Sequence, residues 1–223
     1  MTARTRRTLW SILALGVALI WVFPVYWMLN SALLPNAVLQ SFVPTFLPTG
    51  GSLRNFTRVL EDGTFFTALR MSLSITLLAV AGCLLFAFLA ALAISRFRFR
   101  GRGSFVLAVL LIQMLPAEGL FIAQYRMVSS VGGLNSVLGV SIIYMAAVIP
   151  FTVWMLRGFV AGIPIELEEA GMVDGLSRTG AFLRITLPLL APGLVASGVY
   201  AFLQAWNEFT VALVLLPAEV SHT

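Results

Sequence analysis

The sequence predicts an all-α integral membrane protein with five visible spans. Apolar residues make up 60% of its 223 positions and charged residues only 10%, against roughly 25% charge in a soluble domain. Its mean hydropathy is +0.98. The apolar residues also gather into long stretches, at about 10–34, 68–95, 104–129, 135–157 and 189–216. Each is long enough for the ~20 residues a helix needs to cross a bilayer.

The first span follows the basic run RTRR. It is about twice the length of a signal-peptide core and lacks a small-residue cleavage site, so it reads as an uncleaved span. The connector 35–64 holds Pro35, Pro44, Pro48 and Gly50-Gly51; it reads as a surface loop with one short helix near Leu53 to Leu60. The second span carries Ala79, Gly82, Ala87, Ala90, Ala91 and Ala93, small residues that let a neighbouring helix approach closely. RFRFRGR follows it. The third span is the least uniform, with Pro116, Glu118 and Arg126 in or near it. Pro24, Pro116, Pro150 and Pro192 each remove a backbone hydrogen bond and allow a kink.

Orientation follows from arginine placement, because basic residues near span ends stay on the cytoplasmic side. An inside N-terminus puts ten arginines within (Arg4, Arg6, Arg7, Arg96, Arg98, Arg100, Arg102, Arg157, Arg178, Arg184) and four outside (Arg54, Arg58, Arg70, Arg126). The N-terminus is therefore read as cytoplasmic, and so is the loop 158–188 between the last two spans. The net charge of +5 reflects this topology rather than nucleic-acid binding.

Composition also excludes chemistry. All fourteen basic residues are arginine, so a P-loop of the GxxxxGK[ST] type cannot exist, and nucleotide chemistry must come from a partner. Cys83 is the only cysteine, and the only histidine, His222, sits in the tail. Neither a metal cluster nor a Ser–His pair can be proposed, and no catalytic residue is expected.

Polar residues within spans normally face other helices or a cavity, because lipid penalises them by ~2.5–3.5 kcal/mol when charged. Asn30, Gln113, Glu118, Gln124, Gln204, Asn207 and Glu208 are the candidates. Singly, they read as hydrogen-bonding glue between helices or as interfacial groups. The cluster Gln204, Trp206, Asn207 and Glu208 covers most of one helical turn and suggests a wet, protein-lined path.

The loop from Pro164 to Pro188, PIELEEAGMVDGLSRTGAFLRITLP, holds four of the nine acids. Glu166, Glu168 and Glu169 follow Pro164 in a first helical turn, where the helix dipole favours negative charge. Leu167, Ala170, Gly171 and Asp174 share one face by spacing, and Ala170 with Gly171 makes a small patch. Gly175 stands where glycine caps a helix. A second amphipathic segment runs from Ser177 through Phe182 and Ile185. A short helix with a small-residue face suits a groove on another protein. Its three glutamates argue against lying on an anionic leaflet.

The run Glu169, Ala170, Gly171, then Gly175, Ile185, Leu187 and Pro188 resembles the EAA loop of ABC importer permeases, E-A-A-x3-G-x9-I-x-L-P. One position departs, with Gly171 for the second alanine. MVDGLSRTGAFLRITLPLLAPGL, FLQAWNEF, SLRNFTRVL and RFRFRGR extend the resemblance to the carbohydrate-uptake branch, similar to the second permease of the maltose importer. It implies a type I importer transmembrane domain: an inner-membrane permease subunit in a bacterial plasma membrane, forming part of a sugar path. It implies a companion permease in a heterodimer, two cytoplasmic ATPase subunits that carry ATP and Mg, and an extracytoplasmic substrate-binding protein. The chain itself is expected to bind no cofactor. Residues carried over as ATPase-coupling are Glu168, Glu169, Ala170, Gly171, Asp174, Gly175 and Leu176; Gln204, Trp206, Asn207 and Glu208 are candidate path residues. The branch has six spans, so a sixth is expected after the tail 218–223. A non-sugar solute and an ion-coupled secondary transporter using Glu118 or Glu208 are the alternatives.

Overall fold

The structure is a computed structural model that describes residues 3–115 and 117–216. Among the described residues all regular elements are helical: α1 (Ala3–Leu33), α2 (Asn36–Leu39), α3 (Arg54–Glu61), α4 (Gly63–Arg96), α5 (Arg102–Ile112), α6 (Phe121–Ser130), α7 (Val137–Ala161), α8 (Glu166–Val173), α9 (Arg178–Ala181), α10 (Leu187–Trp206) and α11 (Thr210–Leu215). A 3-10 turn, Ala117–Leu120, precedes α6, and a π turn, Phe182–Thr186, joins α9 to α10.

Among the described residues, four helical runs are long and apolar enough to cross a membrane: Arg4–Leu33, Gly63–Arg96, Val137–Ala161 and Arg178–Trp206. The expected third span, 104–129, is instead broken into α5, the 3-10 turn and α6. α5 is only 11 residues long. Leu115 precedes a proline, which disfavours helical backbone there. The expected continuous span 189–216 is broken as well, at Asn207–Phe209. There the Asn207 amide donates to the Leu203 carbonyl at 2.7 Å, and the Glu208 carboxylate takes the N–H groups that start α11. Such side-chain competition with the backbone ladder ends helices. Pro116, the side chain of Glu118, and residues 217–223 with His222 lie outside the described residues.

The chain divides into two compact units, Met1–Ala68 and Leu69–Thr223. In the first, the connector folds back on the end of α1. Buried Asn30 donates to the Thr45 carbonyl at 2.7 Å, Asn55 bridges the carbonyls of Ala32 and Leu34 at 2.9 and 3.0 Å, and Tyr26 bonds the Phe46 carbonyl. Asn30 thus serves its own connector. The short helix expected near Leu53–Leu60 is α3. Asp62 caps α4, accepting from the Thr64 N–H at 3.1 Å and its hydroxyl at 2.8 Å. Those bonds hold its carboxyl below the usual carboxylate range.

In the second unit α7 is the most buried of the long helices, and α4, α5 and α10 pack on it. Ala79, Cys83, Ala87 and Ala91 are all buried. Their four-residue spacing forms a small-residue stripe on the buried face of α4, and Ala87 and Ala91 pack in one core with Val153, Leu156 and Val160 of α7. Thr152 in α7 closes this contact, its hydroxyl 3.4 Å from the Cys83 Sγ while donating to the Val148 carbonyl at 2.9 Å. Further along α7, Gly193 of α10 is buried against Phe159.

Candidate functional site

Two assemblies in the second unit contain residues singled out by the sequence. The first is the polar loop, which folds as a helical elbow. α8 runs for eight residues with Glu166, Glu168 and Glu169 in its first turn. It stops because Gly175 adopts φ +90°, a conformation open to glycine and costly for any residue with a Cβ. The Gly175 N–H bonds the Met172 carbonyl at 3.1 Å and the Leu176 N–H bonds that of Gly171 at 3.0 Å, which satisfies the last carbonyls of α8. Ser177 then caps α9, its hydroxyl accepting from the Gly180 N–H at 3.1 Å.

The face drawn from spacing divides in three dimensions. Leu167, Glu169, Ala170, Asp174 and Gly175 are exposed, whereas Gly171 and Glu168 are buried. Leu176 is half-buried beneath the turn. Gly171 touches its own fold: a Cβ built there would stand 2.5 Å from Ile185 Cδ1, 3.4 Å from Leu176 Cδ1 and 3.5 Å from Ala181 Cβ. The small residue therefore lets α8 rest on the second half of the elbow, and the outward patch is built around Ala170. The clashing atom at Ile185 is a terminal methyl that can swing aside. Gly171→Ala is accordingly expected to fold as well as wild type, the gain in helix propensity of about 1 kcal/mol offsetting the shift. Gly171→Leu should lose about 1–3 kcal/mol by overpacking. Thermal unfolding in detergent checks both.

Glu168 meets two residues from other elements. Its Oε1 accepts a hydrogen bond from the Thr186 hydroxyl at 2.8 Å and lies 3.1 Å from Arg96 Nη2, with side-chain exposures of 14% for Arg96 and 11% for Glu168. Arg96 Nη2 is off the hydrogen-bond line and Nε also lacks an acceptor, so the attraction is that of charges, while Thr186 supplies the directional bond. Removing one member of a buried ion pair typically costs about 3–5 kcal/mol, because the other charge is stranded. Sequence pattern does not single out Thr186, which occupies the unspecified position of the I-x-L-P run. Arg96 is legible only as a member of the basic cluster after the second span.

The second assembly is a cavity of about 660 Å³ bordered by α5, α6, α7 and the α10–α11 break. Gln204, Asn207 and Glu208 line it together with Gln113, Gln124 and Tyr144. Trp206 does not; it is exposed and stacks on Phe202, with centroids 5.5 Å apart and 12° between planes. Glu208 is committed to structure, its oxygens 3.0 and 3.1 Å from the Val211 N–H and 3.4 Å from that of Ala212. The Tyr144 hydroxyl donates to the Glu208 carbonyl at 3.0 Å. The broken helix here follows the rule that irregular backbone at membrane depth borders a cavity or protein. Gln124 Oε1 is buried without a partner. Among the described residues no His, Cys, Asp and Glu cluster could hold a metal ion.

Long apolar helices, a cavity with amide and carboxylate groups in its largely apolar wall and a polar elbow between two of the helices are the features of a membrane transport subunit. Residues 83–220 match the binding-protein-dependent transport system inner membrane component family, and the chain belongs to that family. It is 42% identical over 202 residues to the diacetylchitobiose uptake system permease protein DasC of Streptomyces coelicolor, covering 91% of this chain and 73% of that protein. It is 33% identical over 217 residues to the trehalose/maltose transport system permease protein MalG of Thermococcus litoralis, covering 93% and 75%. A bacterial ABC transporter involved in the import of the acidic polysaccharide alginate has a chain that superposes with a TM-score of 0.80 at 26% identity, covering 98% of this chain and 78% of that one. The chain is thus a multi-pass inner-membrane permease subunit of an ABC importer. Family membership decides against ion-coupled secondary transport.

Proposed function

We propose that this chain forms part of a sugar path and receives the work of ATP hydrolysis through its elbow. The reading is carried by the elbow's division of labour. Its inner residues, Glu168 and Gly171, bond and pack to the rest of the chain, leaving Glu169, Ala170 and the Gly175 turn outward for a partner's groove. The partner is a cytoplasmic ATPase subunit that binds ATP and Mg, one of two in the assembly, and the N-terminus lies on the same side. A second, non-identical permease completes the path, and an extracytoplasmic binding protein delivers the solute. The chain itself performs no catalysis and holds no cofactor.

Sugar as cargo is supported by the functions its relatives are named for, uptake of diacetylchitobiose and of trehalose or maltose. It is supported also by the amides of Gln113, Gln124, Gln204 and Asn207 around the cavity. Amides both donate and accept, as a neutral polyhydroxyl solute requires. The Glu208 charge beside them is taken up by backbone N–H groups.

The test is co-expression of the chain with its companion permease and ATPase, comparing wild type with Glu169→Ala. Glu169 is exposed, so the variant should fold normally yet retain less ATPase on purification and lose most uptake of labelled disaccharide. Unchanged ATPase recruitment together with unchanged uptake would refute elbow docking. Uptake without any ATPase would refute the ATP-driven reading.

A further inference from the structure

The elbow and the long helices are tied by contacts that no part of the docking surface requires. Resting on the reading of the elbow as the ATPase seat, we propose that Arg96, Glu168 and Thr186 form the linkage through which movement of α8 reaches the membrane helices. Arg96 is the last residue of α4, Glu168 lies in the first turn of α8, and Thr186 ends the π turn that leads into α10. One carboxylate oxygen, Glu168 Oε1, receives both neighbours, at 3.1 and 2.8 Å.

Three features make this a linkage rather than ordinary packing. First, α8 rests on α9 and the π turn, elements that follow it in the chain, whereas Arg96 belongs to a helix with no covalent route to α8 except through α5, α6 and α7. The ion pair gives α8 a direct hold on α4. Second, Arg96 has no other ion-pair partner among the described residues, and its guanidinium is largely buried, so sliding α8 away would strand a charge. That penalty makes the three elements move together. Third, Glu168 stands with Arg96 and Arg178 around a cavity of about 230 Å³. Leu92, Thr179 and Phe182 also border it, so α4, α8, α9 and the π turn meet at this point. The other titratable groups of α8, Glu166 and Glu169, are exposed and make no such contact. Phe182 of the π turn lies against Phe88 of α4, with centroids 6.2 Å apart, so the apolar side of the same junction is closed.

These are positioning residues. They touch neither nucleotide nor solute, and their loss should reduce the solute moved per ATP hydrolysed more than it reduces either assembly or ATPase rate. The experiment uses the complete importer in proteoliposomes, scored per assembled complex, with Glu168→Ala, Glu168→Gln, Arg96→Gln, the exchanged pair Arg96→Glu/Glu168→Arg, and Glu169→Ala alongside. Glu168→Ala and Arg96→Gln are expected to lower transport per ATP by roughly 2- to 30-fold, the range over which residues that carry coupling act. Glu168→Gln keeps an oxygen for Thr186 and should fall between Glu168→Ala and wild type. The exchanged pair should recover part of the loss, which a merely structural effect of either residue alone would not produce. The linkage is overturned if transport per ATP is unchanged in Glu168→Ala and Arg96→Gln. It is overturned equally if their losses track the amount of assembled complex, or if the exchanged pair is no better than the single variants. Glu169→Ala separates this idea from the one beneath it. If that variant alone retains full ATPase binding and uptake, the elbow reading fails. If it loses both while the Arg96 and Glu168 variants stay coupled, only the linkage fails.

Discussion

Gly175→Pro should abolish uptake. Proline holds φ near −65°, whereas Gly175 sits at +90°, so the turn cannot form without rebuilding its neighbours. Proline also deletes the N–H that bonds Met172 at 3.1 Å. Displacing the turn removes the next bond as well, from the Leu176 N–H to Gly171 at 3.0 Å, and with it the stop of α8. A proline in a conflicting backbone costs about 3 kcal/mol or more. That cost is local to an exposed turn, so the long helices should still assemble while the outward patch loses its shape. Gly175→Ala meets only the left-handed penalty of about 1–2 kcal/mol and should retain partial uptake. Transport into proteoliposomes and ATPase co-purification, read side by side, check the order wild type, alanine, proline. Equal activity in all three would show that the shape of this turn is irrelevant.

Gly193→Val should prevent the second unit from assembling. A Cβ at Gly193 would lie 2.5 Å from Phe159 Cγ and 2.9 Å from its Cβ and Cδ2. Phe159 Cβ is fixed by its own backbone, so relief requires α7 and α10 to separate, and these two helices form the largest helix contact of the fold. Overpacking a closely fitted interior costs about 1–3 kcal/mol, with a branched side chain toward the upper end. The measurement is the yield of monodisperse protein after detergent extraction, expected to fall severely. Phe159→Ala in the same chain should restore part of it by making room. Gly82 provides the control: its added Cβ would meet Met145 Cε at 2.5 Å and Sδ at 2.8 Å, the movable end of a flexible thioether, so Gly82→Ala should be recovered in near-normal yield.

The elbow shows how far local pattern reaches. Its start, its end and its capping serine depend on residues within a few positions of one another, and Pro164, Glu166, Gly175 and Ser177 announce them in the sequence. The role of Gly171 was less legible. Spacing put it on a face with Ala170, but which part of that face turns inward depended on where Ile185 and Ala181 arrive after the chain has folded back. Thr186 was invisible for the same reason, since a lone hydroxyl in an apolar run carries no pattern. The third span failed as one helix although its hydropathy allows one, because a proline disfavours helical backbone at the residue before it and average hydropathy does not register that. Gln204, Asn207 and Glu208 were legible as polar groups in an apolar helix, and they do border the cavity. That Trp206 turns away from it, and that Glu208 is occupied by the start of α11, required the helix break to be seen.

By itself, the sequence determined that this is a helical membrane protein, with an elbow of motif-like spacing and no lysine from which a P-loop could be built. Those properties are sums over composition or short-range relations along the chain, and the partition of apolar side chains into lipid enforces them. Only the tertiary structure decided which face of α8 is free, that the α10–α11 break opens on a cavity, and that Arg96, Glu168 and Thr186 meet at one oxygen. Their reason is equally physical. A buried charge must find its partner wherever packing brings one within reach, and that distance is set by how α4, α7 and α10 fit against each other, not by their separation in sequence.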